Sequence, residues 1–280
     1  MQAAVRSTVK FFVVAVLGLY GAYRASEAVT QAKVLQIDRI VINGNERMSQ
    51  ADVMTALDGL RGENIVWADL AAWRLRLLAS PWVREAALRR RLPSTVEITL
   101  LERVPMAIAR LQGSLYLVDE QGVVIDEYGP GYADLDLPIV DGLSSPNGLE
   151  PAAGGVRPVT DEVRAELAAR MIASLKTRPD IFERVSQVDV SDRYNVALIL
   201  AGDPAVIHVG DDQFLPRLES YVELSAALRE RVPNIEHVDV RFENRIYVRP
   251  SGTGSGGHRI AVDRSAGPTV SVEGGSGGRR

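Results

Sequence analysis

The chain opens on an apolar run from Phe11 to Tyr23 that carries no charge and is bracketed by Lys10 and Arg24. As a helix this run spans roughly 20 Å, against a hydrocarbon core of about 30 Å. Extension through Val5 to Ala28 closes the gap if Lys10 and Arg24 snorkel to the two interfaces. A single-pass anchor, a cleavable signal peptide and a buried soluble helix are the three readings. Tyr23, Arg24 and Glu27 crowd the place where a small-x-small cleavage site would stand, which favours the anchor. Arg6 and Lys10 are nearly balanced by Arg24 and Lys33, so the orientation rests on the short tail and the large polar body, tail inside and body outside.

From Val34 to Leu101 the pattern predicts strand, helix, helix, strand, strand. Ile37, Arg39 and Val41 alternate with Asp38, Ile40 and Ile42 as in a strand, closed by Asn43-Gly44-Asn45. Ser49, with Asp52 three residues on, caps a helix that turns Val53 and Leu57 to one face and ends at Gly59. Asp69 caps a second helix through Leu70, Trp73, Leu77 and Leu78, and Ser80-Pro81 stops it. Ala86, Leu88 and Leu92 then alternate with Arg89 and Arg91. Pro93-Ser94 turns the chain, and Val96, Ile98 and Leu100 resume the apolar face opposite Glu97 and Thr99.

Gly142 to Val159 reads as a loop or spacer. Thr160, with Asp161 and Glu162, caps a helix whose Val163, Leu167, Met171 and Leu175 form a core stripe. A meander follows over Val185–Val190, Val196–Leu200 and Val206–Val209, then a helix through Phe214, Leu218, Tyr221, Val222 and Leu228, broken at Pro233-Asn234. The last ordered element is expected over Ile235 to Pro250, as two strands about Glu243-Asn244. Beyond Pro250 the residues are mainly Gly, Ser and Arg and are expected to be disordered, because they bury too little to offset conformational entropy. The fold class is therefore α+β: a single N-terminal transmembrane helix, a β-α-α-β-β domain, then a mainly antiparallel β domain with two helices. The expected divisions are 1–33, 34–103, 104–250 and 251–280.

Composition narrows the chemistry. A net charge of −4 over 280 residues argues against nucleic acid as a partner. With no cysteine, disulfides, thiolate metal sites and cysteine nucleophiles are all excluded. His208, His237 and His258 are far apart in sequence without ligand-spaced partners, so no metal is expected, and isolated strand histidines are read as structural. No nucleophile elbow, phosphate-loop lysine or His-Glu-x-x-His helix occurs, so no catalytic residue and no cofactor is expected. Gly252-Thr253-Gly254-Ser255-Gly256-Gly257 formally fits a dinucleotide pattern but opens no helix, and reads as a linker. Arg89-Arg90-Arg91 reads as the solvated surface of a strand rather than a lipid or polyanion site.

One set of motifs goes further. The element order, Asn43-Gly44-Asn45, Pro81-Trp82-Val83, Arg90-x-Leu92-Pro93 and Glu102-Arg103-x-Pro105-x-Ala107 resemble a POTRA domain. Tyr116-Leu117-Val118-Asp119 with Gly122 and Val123, then Leu137-Pro138-Ile139-Val140-x-Gly142, continue the likeness, and the whole resembles the FtsQ/DivIB family of bacterial cell-division proteins. The resemblance implies a non-catalytic, bitopic inner-membrane scaffold of the divisome at the septum, its C-terminal domains periplasmic. It also implies capture of an FtsB-like and FtsL-like pair by strand addition at the last β-strand, with room for further divisome proteins on the POTRA domain and membrane helix. After the Val238-Asp239-x-Arg241 motif the matching stretch is Phe242, Glu243, Asn244, Arg245, Ile246, Tyr247 and Val248, with Phe242 and Tyr247 as apolar anchors and Arg193 as a basic residue at the same interface. Asn244-Arg245-Ile246 departs from the small residues often found there. The alternative is a POTRA accessory of polypeptide secretion or outer-membrane assembly, which commonly has several POTRA repeats or a barrel; neither is found here.

Overall fold

A computed structural model of the chain describes residues 15–21, 33–144, 157–158, 161–232, 234–243, 245–251, 260–263 and 273–274. Most of the expected anchor lies outside these residues. Residues 15–21 are helical and exposed, and among the described residues no helix is long and apolar enough to cross a membrane. The chain divides into two compact units, 1–102 and 103–280.

In the first unit, β1 (Arg39–Asn43), α1 (Gln50–Ala56), α2 (Leu70–Leu78), β2 (Val83–Arg91) and β3 (Thr95–Glu102) follow the expected order. Their sheet runs β1-β3-β2, with β1 parallel and β2 antiparallel to the central β3. Ser49 and Asp52 close a reciprocal capping box on α1, and the Asp69 carboxylate accepts the Ala71 and Ala72 amides at the start of α2. Val53, Leu57, Trp73 and Leu77 bury one face of both helices against Val96, Ile98 and Leu100. Gly44 holds φ at +82°, and a Cβ there would run into the Leu100 carbonyl, so the β1 exit needs glycine.

Three details differ from expectation. The strand begins at Arg39, two residues after the Ile37 that opens the expected alternation; Lys33–Leu35 forms one 3-10 turn, and Leu35 and Ile37 bond the loop at Gly62 to Ile65 through their main chain. Leu92 lies in the turn, 69% exposed, not on the apolar face. Arg90 is held rather than merely solvated: Nε donates to the Ile65 carbonyl at 2.7 Å and a terminal nitrogen to that of Ala68 at 2.6 Å. Strand parity explains this, because Arg90 shares the helix-bearing face with Ala86 and Leu88 whereas Arg89 and Arg91 point the other way.

The second unit is one broad mixed sheet. Its strands are β4 (Ala107–Leu111), β5 (Ser114–Val118), β6 (Val123–Glu127), β7 (Ile139–Asp141), β8 (Arg157–Pro158), β9 (Val185–Asp192), β10 (Asn195–Leu200), β11 (Asp203–Gly210), β12 (Ile235–Asp239), β13 (Arg245–Pro250), β14 (Ile260–Asp263) and β15 (Glu273–Gly274). The order is β15-β14-β13-β12-β11-β10-β9-β7-β4-β5-β6-β8. Pairing is mostly antiparallel, with parallel contacts at β4/β7, β7/β9 and β11/β12. Helices α3 (Glu162–Leu175) and α5 (Phe214–Arg231), with the single turn α4 (Pro179–Phe182), supply the helical side of the core.

The α3 cap is Asp161, whose carboxylate accepts the Arg164 amide at 3.2 Å, one residue after the expected Thr160. Val163 is 56% exposed, so the buried stripe is Ala168 and Ile172 beside Leu167, Met171 and Leu175. Two buried carboxylates lock the unit. Asp119 receives Arg103 at 2.6 Å together with the Gln121 and Val123 amides, which joins two of the sequence motifs through space. Asp203 receives the Tyr221 hydroxyl at 2.6 Å and Arg229 at 2.5 Å, fastening α5 to the start of β11. The tail is not wholly without structure: β14 and β15 continue the sheet beyond Pro250, where disorder was expected. Main-chain pairing to an available strand edge needs little side-chain burial, and that local composition does not reveal.

Candidate functional site

The hairpin β12–β13 alternates from His237 onward, after a register irregularity at which Ile235 is also buried. Val238, Val240, Ile246 and Val248 are fully buried toward the helices, while His237, Asp239, Tyr247 and Arg249 stand half-buried on the opposite, open face. The residues expected to meet a partner therefore divide. Phe242, 48% exposed, meets Tyr247 edge-to-face with ring centroids 5.0 Å apart. Glu243 and Arg245 are exposed. Ile246 and Val248 have no side-chain surface to offer and can contribute only main chain. Asn244 lies outside the described residues. Arg193 is exposed in the β9–β10 turn with its guanidinium 5.5 Å from the Tyr194 ring centre, and strand register places that turn at the same end of the sheet as Phe242.

Beside Tyr247 the open face forms a groove of about 370 Å³. Its floor is a pair of histidines that lie far apart in sequence. His208 on β11 and His237 on β12 stack at 5.5 Å, with His208 Nε2 3.3 Å from His237 Nδ1, and Asn195 Nδ2 lies 2.9 Å from His208 Nδ1. A neutral imidazole donates from one nitrogen and accepts at the other, so this chain of bonds runs from Asn195 through a neutral His208 to His237. Burial pushes both imidazoles below their ordinary value. The neighbouring imidazole, Arg241 and Arg249 push His208 the same way against Asp239, and Arg249 does so for His237 against Glu236. Burial alone would raise the Asp239 carboxyl, but hydrogen bonds from the Arg241 side chain and amide outweigh it and hold the carboxyl below its usual range.

The only sequence signal for this pair was that both histidines occupy outward positions of their strands. The parallel β11–β12 register, which sets Val206 against His237 and His208 against Asp239, cannot be read locally. Among the described residues no group of three or more His, Cys, Asp or Glu side chains converges as a metal site. Chemically the face offers two aromatic rings, a neutral imidazole pair and the Asp239–Arg241 ion pair beside a strand edge.

That edge is not bare. β13 pairs with β12 on one side and with β14 on the other, so it is not the outermost strand that the family resemblance implies.

A three-stranded sheet backed by two helices, followed by a wide sheet with helices on one face, defines a POTRA domain joined to a β-rich C-terminal domain. The chain matches the POTRA domain, FtsQ-type, over residues 35–103, and the C-terminal domain of cell division protein FtsQ/DivIB over residues 107–241. It is 25% identical over 215 residues to cell division protein FtsQ of Koribacter versatilis, covering 76% of this chain and 60% of that protein. To the FtsQ of Geobacter sp. strain M21 it is 26% identical over 233 residues, 82% of this chain and 81% of the relative. To that of Myxococcus fulvus it is 27% identical over 207 residues, 74% and 70% respectively. The chain belongs to the FtsQ/DivIB family of bacterial cell-division proteins. The C-terminal match ends at residue 241, so β13 lies beyond it.

Proposed function

We propose that this protein is a non-catalytic, single-pass scaffold of the bacterial divisome that binds an FtsB/FtsL-type pair by strand addition at β13. Residues 1–33 are its cytoplasmic tail and inner-membrane anchor, 34–103 its POTRA domain and 104–250 its binding domain on the periplasmic side at the septum. The apolar run of Phe11 to Tyr23, with Leu17, Leu19 and Tyr20 exposed, supports the anchor. One observation carries the binding assignment: β13 buries Ile246 and Val248 inward and presents Tyr247, packed on Phe242, on the open face. An incoming strand gains main-chain hydrogen bonds from β13, while the aromatic pair supplies the side-chain contact.

Anchors of this kind are worth about 2 kcal/mol or more each, so Phe242→Glu with Tyr247→Glu should weaken capture of the FtsB-type protein from the same genome by at least about a hundredfold. Circular dichroism and thermal unfolding of the variant should match the wild type. Undiminished capture by the folded variant would overturn the assignment.

A further inference from the structure

The segment Ile260–Asp263 covers the very residues assigned to a partner. It runs antiparallel along β13 with Asp263 opposite Arg245, Val262 opposite Ile246, Ala261 opposite Tyr247 and Ile260 opposite Val248, in unbroken register. An incoming strand cannot bond this edge while β14 is in place. We propose that β14 is a stand-in for the partner strand, carried by the chain itself, and that the β13 edge opens to a partner only when β14 leaves; the partner half of this statement rests on the binding function proposed above.

The lengths on either side fit a displaceable cover. β14 has four residues, and β15 braces it on the far side at only two positions, Ile260 with Gly274 and Ala261 with Glu273. Each ladder hydrogen bond replaces one to water and contributes little net, so a few of them make a contact that a longer strand can replace. The tether is short as well. Only residues 252–259 separate Ser251 from Ile260, four of them glycine, and a connection of that length holds a segment near its site at an effective concentration on the order of millimolar. A weak strand therefore remains an effective competitor in cis. Apparent affinity falls by the fraction of molecules whose edge is open, so β14 sets a threshold that the partner must exceed.

Two variants, one truncated and one of full length, test this. One stops after Ser251. The other carries Ala261→Pro and Val262→Pro; alternate residues of an antiparallel strand face one neighbour, so a consecutive proline pair removes a β13-facing donor whatever the parity. Amide hydrogen exchange is measured along β13, with α5 as an internal reference. Both variants should lose at least about tenfold of the protection at Arg245 to Val248 and keep that of α5. Unchanged β13 protection would overturn the proposal.

The second reading uses a synthetic peptide of residues 258–264 and the FtsB-type protein as separate probes. Both should bind the two variants at least about tenfold more tightly than the wild type. Equal FtsB-type affinity for wild type and variants would show that β14 does not compete. Peptide binding confined to the variants, with no FtsB-type binding to any chain, would leave the cis strand standing and remove the proposed partner instead.

Discussion

The hairpins β2–β3 and β12–β13 follow one plan and end differently. Each turns its apolar residues toward helices, Val96, Ile98 and Leu100 in the first and Val238, Ile246 and Val248 in the second. Their outer strands diverge. β2 bears Arg84, Glu85, Arg89 and Arg91 at exposed positions, and among the described residues no strand pairs with its outer side. β13 keeps apolar residues and a tyrosine through its centre and has its outer side taken by β14. Charge along an edge discourages strand addition, whereas an apolar, alternating edge invites it. The first hairpin carries the densest family motifs and shapes its domain; the second, with few motifs, holds the edge we propose for a partner.

The comparison can be broken most forcefully through the cores the two hairpins share in design. Ile98 and Ile246 are both fully buried, so Ile98→Ala and Ile246→Ala should each cost about 2–5 kcal/mol in urea unfolding. Ile246→Ala should nevertheless leave partner capture unchanged wherever the chain is folded, since its side chain faces the helices. A specific loss of capture would show that the partner reads that face. A smaller effect separates the three arginines of β2. Arg90→Met abandons the Ile65 and Ala68 carbonyls and should cost about 1–3 kcal/mol, while Arg89→Met should stay within about 0.5 kcal/mol.

The first unit was legible because its signals are local. The Ser49/Asp52 box, the Asp69 cap, the Pro81 stop and the Val96-Ile98-Leu100 alternation each act within a few residues, and each stands as read. In the second unit the elements were legible but their neighbours were not. Tyr221 fitted a helical apolar stripe, yet its hydroxyl serves the buried Asp203 carboxylate eighteen residues away. His208 and His237 meet only through a parallel pairing set by the α5 crossover. β14 was hidden for another reason: four residues of moderate β propensity inside a Gly/Ser-rich stretch form a strand only where an edge is waiting.

The imidazole pair sharpens the difference by pH, since the described residues of the first unit include no histidine. Both imidazoles have folded pKa values below the ordinary 6.5, so the unfolded chain binds more protons just below that pH. The contribution is fully present above pH 6.5, is lost as pH falls through the folded values, and changes no further below them. The depressed Asp239 carboxyl acts in a separate window, below the ordinary 3.8 of an aspartate. Urea midpoints between pH 7.5 and 5 should fall for the wild type and fall less for His208→Asn. Equal slopes would mean that the pair does not couple to folding.

The smallest effect on stability bears most directly on the edges themselves. Arg91 pairs with Glu97 at 2.8 Å with most of its side chain in water, and such surface pairs contribute about 0.2–1 kcal/mol. Arg89→Val with Arg91→Val should therefore shift the unfolding midpoint little, the added β propensity offsetting part of the lost pair. Association should respond instead. With these two charges gone and Arg84, Glu85 and Arg90 kept, the end of β2 over residues 86–91 presents a more apolar edge, but no segment of the chain pairs with it among the described residues. Sedimentation velocity over rising concentration should show the double variant self-associating more than the wild type, and Arg89→Asp with Arg91→Asp should restore wild-type behaviour because either sign of charge protects an edge. If the valine variant sediments like the wild type, charge is not what separates the two hairpins, and the cover that β14 places on β13 must be explained by its short tether alone.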